Sequence, residues 1–210
     1  MSKKHILKNI FVAGISLLYF SCANYSTMKS ADVLGAGKKK LGTGVTYTSY
    51  KYKWDDTTDI PVNVPAVTFW YRLGVTDKLD LHANLWLPLG ASVGAKYQLV
   101  GGPDINGFGL SSGLDVGYLQ ITNDGLTTSL IDFYVPVYLA YDFSQIFSLY
   151  LVPKYIGRLS VGSSNGFGSS AAATLGLKIG NRVSCLLEGT YGYDFYSERP
   201  VLTLGAGFDF

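Results

Sequence analysis

The chain has 210 residues, enough for one domain and a short processed segment. Charged residues make up 15% and hydrophobic residues 48%, with 16 Tyr, 11 Phe and 25 Gly. A disordered chain is rich in charge and poor in aromatics, so disorder is excluded. An ordinary soluble enzyme, with about 25% charge, also fits poorly. The net charge of +2 comes from the amino terminus: residues 1–21 carry Lys3, Lys4 and Lys8 and no acid, leaving 14 basic against 15 acidic residues in the remainder. The basic balance is therefore no signal for a nucleic-acid partner.

Lys3, Lys4 and Lys8 precede an apolar run from Ile10 to Phe20, closed by Ser21 and Cys22. The run is about half as long as a membrane-spanning helix, which makes 1–21 a signal peptide. No later run reaches the ~20 apolar residues a transmembrane helix needs. Leu18-Tyr-Phe-Ser-Cys22 resembles the lipoprotein signal-peptidase box. In that family the Cys thiol is acylated and becomes the first mature residue. The resemblance implies a covalent lipid on Cys22, of the palmitate kind, as the only non-protein group. This box departs from the strict form, with Tyr19 where Leu is usual, Leu18 one residue further back, and bulky Phe20. The alternative is an ordinary secretory signal cut near Ser21 or Ala23. Ala23 is not Asp, so the residue that retains some lipoproteins at the inner membrane is absent. The other cysteine, Cys185, then has no disulfide partner and reads as a small packing residue.

Residues 22–40 read as a lipidated amino terminus and polar tether, with Ser26, Lys29, Ser30, Asp32 and Lys38–Lys40. Gly35-Ala-Gly37 lacks the preceding strand, third glycine and following helix of a nucleotide loop, which rejects that function.

From Leu41 onward the period becomes two, the mark of strands with unlike faces. Leu79, Leu81, Ala83, Leu85 and Leu87 oppose Asp80, His82, Asn84 and Trp86. Val93, Ala95, Tyr97 and Leu99 oppose Ser92, Lys96 and Gln98. Phe133, Val135, Val137, Leu139, Tyr141 and Phe143 oppose Asp132, Tyr134, Tyr138 and Asp142. Ten such segments are expected, over 41–54, 65–76, 79–88, 90–100, 106–121, 128–143, 147–160, 167–179, 182–195 and 199–210. Turn signals separate them, at Thr76–Lys78, Gly101–Gly107, Asn123–Gly125, Ser163–Gly166 and Gly180–Arg182. Pro136 and Pro153 fall inside strands, where each removes a ladder donor and signals a bulge.

Three features distinguish a barrel in lipid from a soluble one. The polar faces carry Arg72, Lys96, Asp115, Lys154, Lys178 and Glu188, as a narrow wet lumen requires. Aromatics such as Tyr47, Tyr50, Tyr52, Trp54, Tyr193, Phe195 and Tyr196 gather near strand ends, where interface girdles lie. Finally, Phe208 and Phe210 end an alternating strand that resembles the terminal assembly signal of bacterial outer-membrane β-barrels. The resemblance implies an all-β, antiparallel up-and-down transmembrane barrel over 41–210, exported to the outer membrane. Its partners would be outer-membrane lipids and the barrel-assembly and lipoprotein-sorting machineries, and a monomer is expected. Ten strands place both barrel ends on the periplasmic side, and eight strands is the alternative count.

Little in the chain points to catalysis. His82 is the only histidine after the signal, and Asp80, two residues away on the same face, is the group expected to orient it in a lipid-acting hydrolase. No serine is assigned beside it by pattern, so no catalytic residue is expected. Asp55, Asp56 and Asp59 crowd the first outward loop but make no clear cation ligand set, so no metal is expected. Glu188 with Arg72, Lys96, Lys154 and Lys178 is expected to form a lumenal charge network that plugs the barrel. Small barrels are filled by their own side chains, and buried ions need partners. The expected function is a structural or surface-interaction barrel, with a passive pore for small solutes as the alternative and a lipid-modifying enzyme third.

Overall fold

The computed structural model describes residues 25–53, 59–87, 90–102, 106–123, 126–162 and 166–210. The signal segment, Cys22, and the side chains of Asp55, Asp56 and Asp59 lie outside the described residues. Ten strands follow one another: β1 Lys39–Lys53, β2 Asp59–Gly74, β3 Leu79–Leu87, β4 Gly90–Val100, β5 Gly107–Asn123, β6 Leu126–Ser144, β7 Phe147–Gly162, β8 Gly166–Gly180, β9 Ser184–Asp194 and β10 Arg199–Asp209. Each pairs antiparallel with its sequence neighbour, and β1 pairs with β10, so the sheet closes. The expected barrel of ten strands is the observed one, and eight is excluded.

The alternation of sequence is an alternation of faces. Along β3, Leu81, Leu85 and Leu87 are exposed while Asp80, His82 and Trp86 are buried. Along β6, Phe133, Val135, Val137, Tyr141 and Phe143 point out while Asp132, Tyr134 and Tyr138 point in. The apolar face is thus the exterior and the polar face the lumen, the reverse of a soluble barrel. Cys185 sits half-buried on the outer side. An apolar exterior of this extent is stable only against hydrocarbon.

Two sequence expectations need correction. Pro136 and Pro153 do not shift the register. β6 and β7 pair Pro136 with Lys154 and Leu139 with Leu151 in one continuous count, so the prolines interrupt the ladder without a bulge. The irregularities fall at strand ends instead, at Gln98/Val100 and Asp142/Ser144. β2 also starts at Asp59, earlier than expected, and runs through Pro61 and Pro65, which stand opposite Lys51 and Tyr47 of β1. Proline reads as a strand breaker, yet a long strand tolerates it where the missing N–H leaves the rest of the ladder in register.

The larger difference concerns residues 25–38, expected as a tether outside the barrel. Tyr25, Ser26, Met28, Lys29, Ser30, Ala31 and Val33 are all buried, and Ala31 is fully so. The segment runs inside the lumen. Gly35 and Gly37, at φ of 82° and 75°, turn it at the rim that holds Lys39 and Phe210 so that it can enter β1. Gly37 N–H donates to Gly74 O at 2.8 Å and Gly74 N–H to Lys38 O at 2.9 Å, which pins the turn to the end of β2. The glycine pair is a hinge in the left-handed region, where a side chain is costly.

Leu204, at the middle of β10, and Ile179, near the end of β8, both face outward and are about half-exposed. Leu204→Arg is expected to destabilise the barrel in lipid by about 2–4 kcal/mol, and Ile179→Arg by only about 0–1 kcal/mol. Reversible unfolding in vesicles measures both. Equal costs at the two depths would show that these faces do not meet lipid.

Candidate functional site: the threaded lumen

The five residues expected to form a charge network all face the lumen, and all five bind the threaded segment. Glu188 of β9 is the main anchor. Ser26 Oγ donates to Oε2 at 2.6 Å, Thr27 N–H to Oε2 at 2.8 Å, and Met28 N–H to Oε1 at 2.6 Å. Tyr150 O–H completes the set, donating to Oε1 at 2.8 Å. Two successive backbone N–H groups wrapped on one carboxylate form an anion nest. Met28 accepts a φ of 47° to make it, a conformation that costs energy unless the surroundings hold it.

The cations hold the carbonyl side of the same segment. Lys154 Nζ donates to Tyr25 O and to Thr27 Oγ1, the latter at 2.9 Å. Lys96 Nζ donates to Ser30 O at 3.0 Å and to Asp32 O. Arg72 donates to Asp32 O at 2.8 Å and to Asp80 Oδ2 at 2.8 Å. Lys178 reaches Asp32 Oδ2 at 3.4 Å. Asp80, fully buried, also receives Leu34 N–H at 3.0 Å and lies 3.9 Å from Lys96 Nζ. These five charges share one lumen, and the described contacts join each of them to the segment. Among the described ion pairs, none joins Glu188 to Arg72, Lys96, Lys154 or Lys178. The threaded peptide lies between these wall residues and takes up their hydrogen bonds.

Apolar contacts add to the polar ones. Tyr25 packs with Tyr50, Tyr134, Ile156, Ala172 and Val201 toward one end of the lumen. Met28 and Ala31 pack with Trp70, Tyr138, Tyr150, Val152 and Leu186 in the middle. Space is left for them by small residues on the wall: a Cβ on Gly205 would collide with Met28, and one on Gly192 would press on Tyr25 at 3.0 Å.

His82 lies in the lumen with Nε2 2.7 Å from Asp115 Oδ1. The expected orienting residue, Asp80, instead serves Arg72 and Leu34. Proximity in sequence misled here because alternate residues on one strand point the same way without touching, while Asp115 comes from β5. His82 Nδ1 has no partner, and no hydroxyl is bonded to the ring among the described residues. Asp115 and Lys29 line a cavity of about 30 Å³, room for a water molecule. A wider vestibule of about 340 Å³ opens at the rim of Lys40 and Asp209, bounded by Asp32, Asp142, Lys178 and Arg182. Among the described residues no group of His, Cys, Asp and Glu is arranged to hold a metal ion.

Sequence reasoning missed the segment itself. Its signal was present: Tyr25, Met28 and Ala31, at every third position, supply the apolar contacts of a stretch whose other residues are mostly polar.

No family model and no curated protein matches this chain. Solved structures do. The translocator domain of the autotransporter NalP from Neisseria meningitidis matches at a TM-score of 0.50 and 10% identity, over 84% of this chain and 88% of that one. Neisserial surface protein A matches at 0.41 and 10% identity, over 81% and 95%. The attachment invasion locus protein Ail of Yersinia pestis matches at 0.37 and 15% identity, over 82% and 99%. The chain has the bacterial outer-membrane β-barrel fold. A closed barrel is the sheet form that leaves no edge unpaired in hydrocarbon, and the exterior described above is apolar, so the fold is a membrane-spanning one.

Two measurements test the threaded site. Glu188→Ala strands four donors around the lost carboxylate, and is expected to lower stability by about 3–5 kcal/mol, the range for removing one partner of a buried charged cluster. Loss below about 1 kcal/mol in a denaturant titration would show a hydrated, screened site. Thr27 Oγ1 and Thr174 Oγ1 lie 3.3 Å apart. The pair Thr27→Cys and Thr174→Cys, with Cys185→Ala, is therefore expected to oxidise to a disulfide that tethers residue 27 to β8. A protein that stays reduced under oxidant would place the segment outside the lumen.

Proposed function

We propose that this protein is a structural, surface-facing barrel of the outer membrane whose lumen is closed by its own amino-terminal segment. The observation that carries the reading is the set of bonds from Glu188, Lys154, Lys96 and Arg72 to residues 25–32. A pore needs a continuous wet path, and here the path is occupied by backbone. Among the described residues, the spaces beside it include a water-sized cavity and a vestibule at one rim. Such a barrel presents loops on the outer face, anchors firmly, and does not dissipate gradients. Its partners are outer-membrane lipids, with the barrel-assembly and lipoprotein-sorting machineries acting during biogenesis, and it works as a monomer carrying a lipid on Cys22. This reading gives the protein no catalytic role, and what supports it is that His82 Nε2 is taken up by Asp115 Oδ1 at 2.7 Å, a pairing that satisfies a buried polar wall.

Planar-bilayer conductance tests the reading. The wild type is expected to be silent. Deletion of residues 25–34 is expected to open steady channels, because the wall charges then face water. A wild type with large, steady conductance would replace this reading with that of a passive pore for small solutes.

A further inference from the structure

The threaded segment carries Lys29 into the lumen, where its side chain is buried. Its neighbours Met28 and Ser30 are both held by charges of the wall. Lys29 is not: its ammonium makes no hydrogen bond and no ion pair among the described residues. A buried ammonium is costly unless something supplies both acceptors and counter-charge.

Lys29 lines the cavity of about 30 Å³ that lies between the segment and strands β2 to β7. The other charged side chains on that cavity are Lys154 and Asp115. Lys154 donates to Tyr25 O and Thr27 Oγ1, both neutral, and makes no ion pair among the described residues. Asp115 Oδ1 is taken up by His82 Nε2. Two ammoniums therefore share this space with one carboxylate, and that carboxylate already has a partner. The neutral residues on the cavity add donors. Trp86 Nε1 and Thr68 Oγ1 are buried without a hydrogen-bond partner among the described residues. Tyr138 is buried there as well, and its O–H makes no hydrogen bond among them.

The excess is of positive charge and of donors, so the matching occupant is negative and accepts hydrogen bonds. Water accepts but brings no charge. An organic anion is too large for the space. A chloride ion is only slightly larger than a water molecule, and it takes N–H and O–H donors from any direction. We infer that this cavity is a binding site for one monatomic anion of chloride size, held by Lys29 of the segment and by donors of the wall. An ion bound there joins the segment to the barrel, so its binding favours the threaded state. The site rests on the threading and not on whether the barrel conducts, and oxidation of the Thr27→Cys, Thr174→Cys pair checks the threading separately.

Urea unfolding of the refolded protein in vesicles tests the site, in sodium chloride and in sodium gluconate of equal ionic strength. A ligand bound only by the folded state raises the folded-to-unfolded ratio about tenfold for each tenfold rise in its concentration above the dissociation constant. That rise is expected in chloride and not in gluconate. Lys29→Met keeps the length of the side chain and removes its charge, and is expected to abolish the chloride dependence. Lys51→Met, at an exposed position of β1, is expected to keep it. Equal unfolding in the two salts leaves water as the occupant and overturns the site. A chloride dependence that survives Lys29→Met puts the ion elsewhere and overturns it too. Bromide decides the matter in the wild type should Lys29→Met not fold: crystals grown in bromide are expected to show an anomalous peak beside Lys29 Nζ, and a cavity without that peak overturns the inference.

Discussion

The structure turns on one constraint: polar groups inside a closed barrel need partners, and here the threaded segment supplies those that the wall does not. In the low dielectric of a filled lumen, an unpaired buried ion costs several kcal/mol. Glu188, Arg72, Lys96 and Lys154 meet that constraint with backbone N–H and carbonyl groups of residues 25–32 rather than with one another. The lumen and the segment therefore specify each other. The wall charges are tolerable because the peptide is there, and the peptide backbone is tolerable in the interior because the wall carries charges.

This mutual dependence explains details that otherwise look unrelated. Met28 adopts an uncommon backbone conformation because Glu188 gathers two consecutive N–H groups. Gly205 and Gly192 are small where Met28 and Tyr25 approach the wall. Gly35 and Gly37 supply the reversal that lets one chain be both wall and filling. The segment is held by both polar and apolar contacts, which gives it one register in the lumen: shifting it by a single residue would withdraw Met28 and Ala31 from the cluster of Trp70, Tyr138 and Tyr150 and pull Thr27 and Met28 off Glu188.

Closing the lumen has a functional corollary. The exterior suits the barrel to a membrane, and the threaded segment occupies the interior. The His82–Asp115 pair belongs to this interior order. The imidazole Nε2 and the Asp115 carboxylate, both on polar faces of the wall, partner each other at 2.7 Å.

The sequence by itself determined the wall. Alternation of period two assigns each side chain of β3, β6 and β9 to lipid or lumen, because successive strand residues point to opposite faces whatever the neighbouring strand is. It therefore placed Arg72, Lys96, Lys154, Lys178 and Glu188 inside. It did not determine what those residues bind. That depends on the width of the closed barrel and on which strand lies across the lumen, neither of which is local. The tertiary structure decided that Asp115 rather than Asp80 faces His82, and that Pro136 and Pro153 interrupt the ladder without shifting it. It also decided that residues 25–38, polar enough to read as a tether, lie within the barrel. Their polarity was the matching surface for a polar cavity, and no window of sequence shorter than the whole barrel contains both sides of that match.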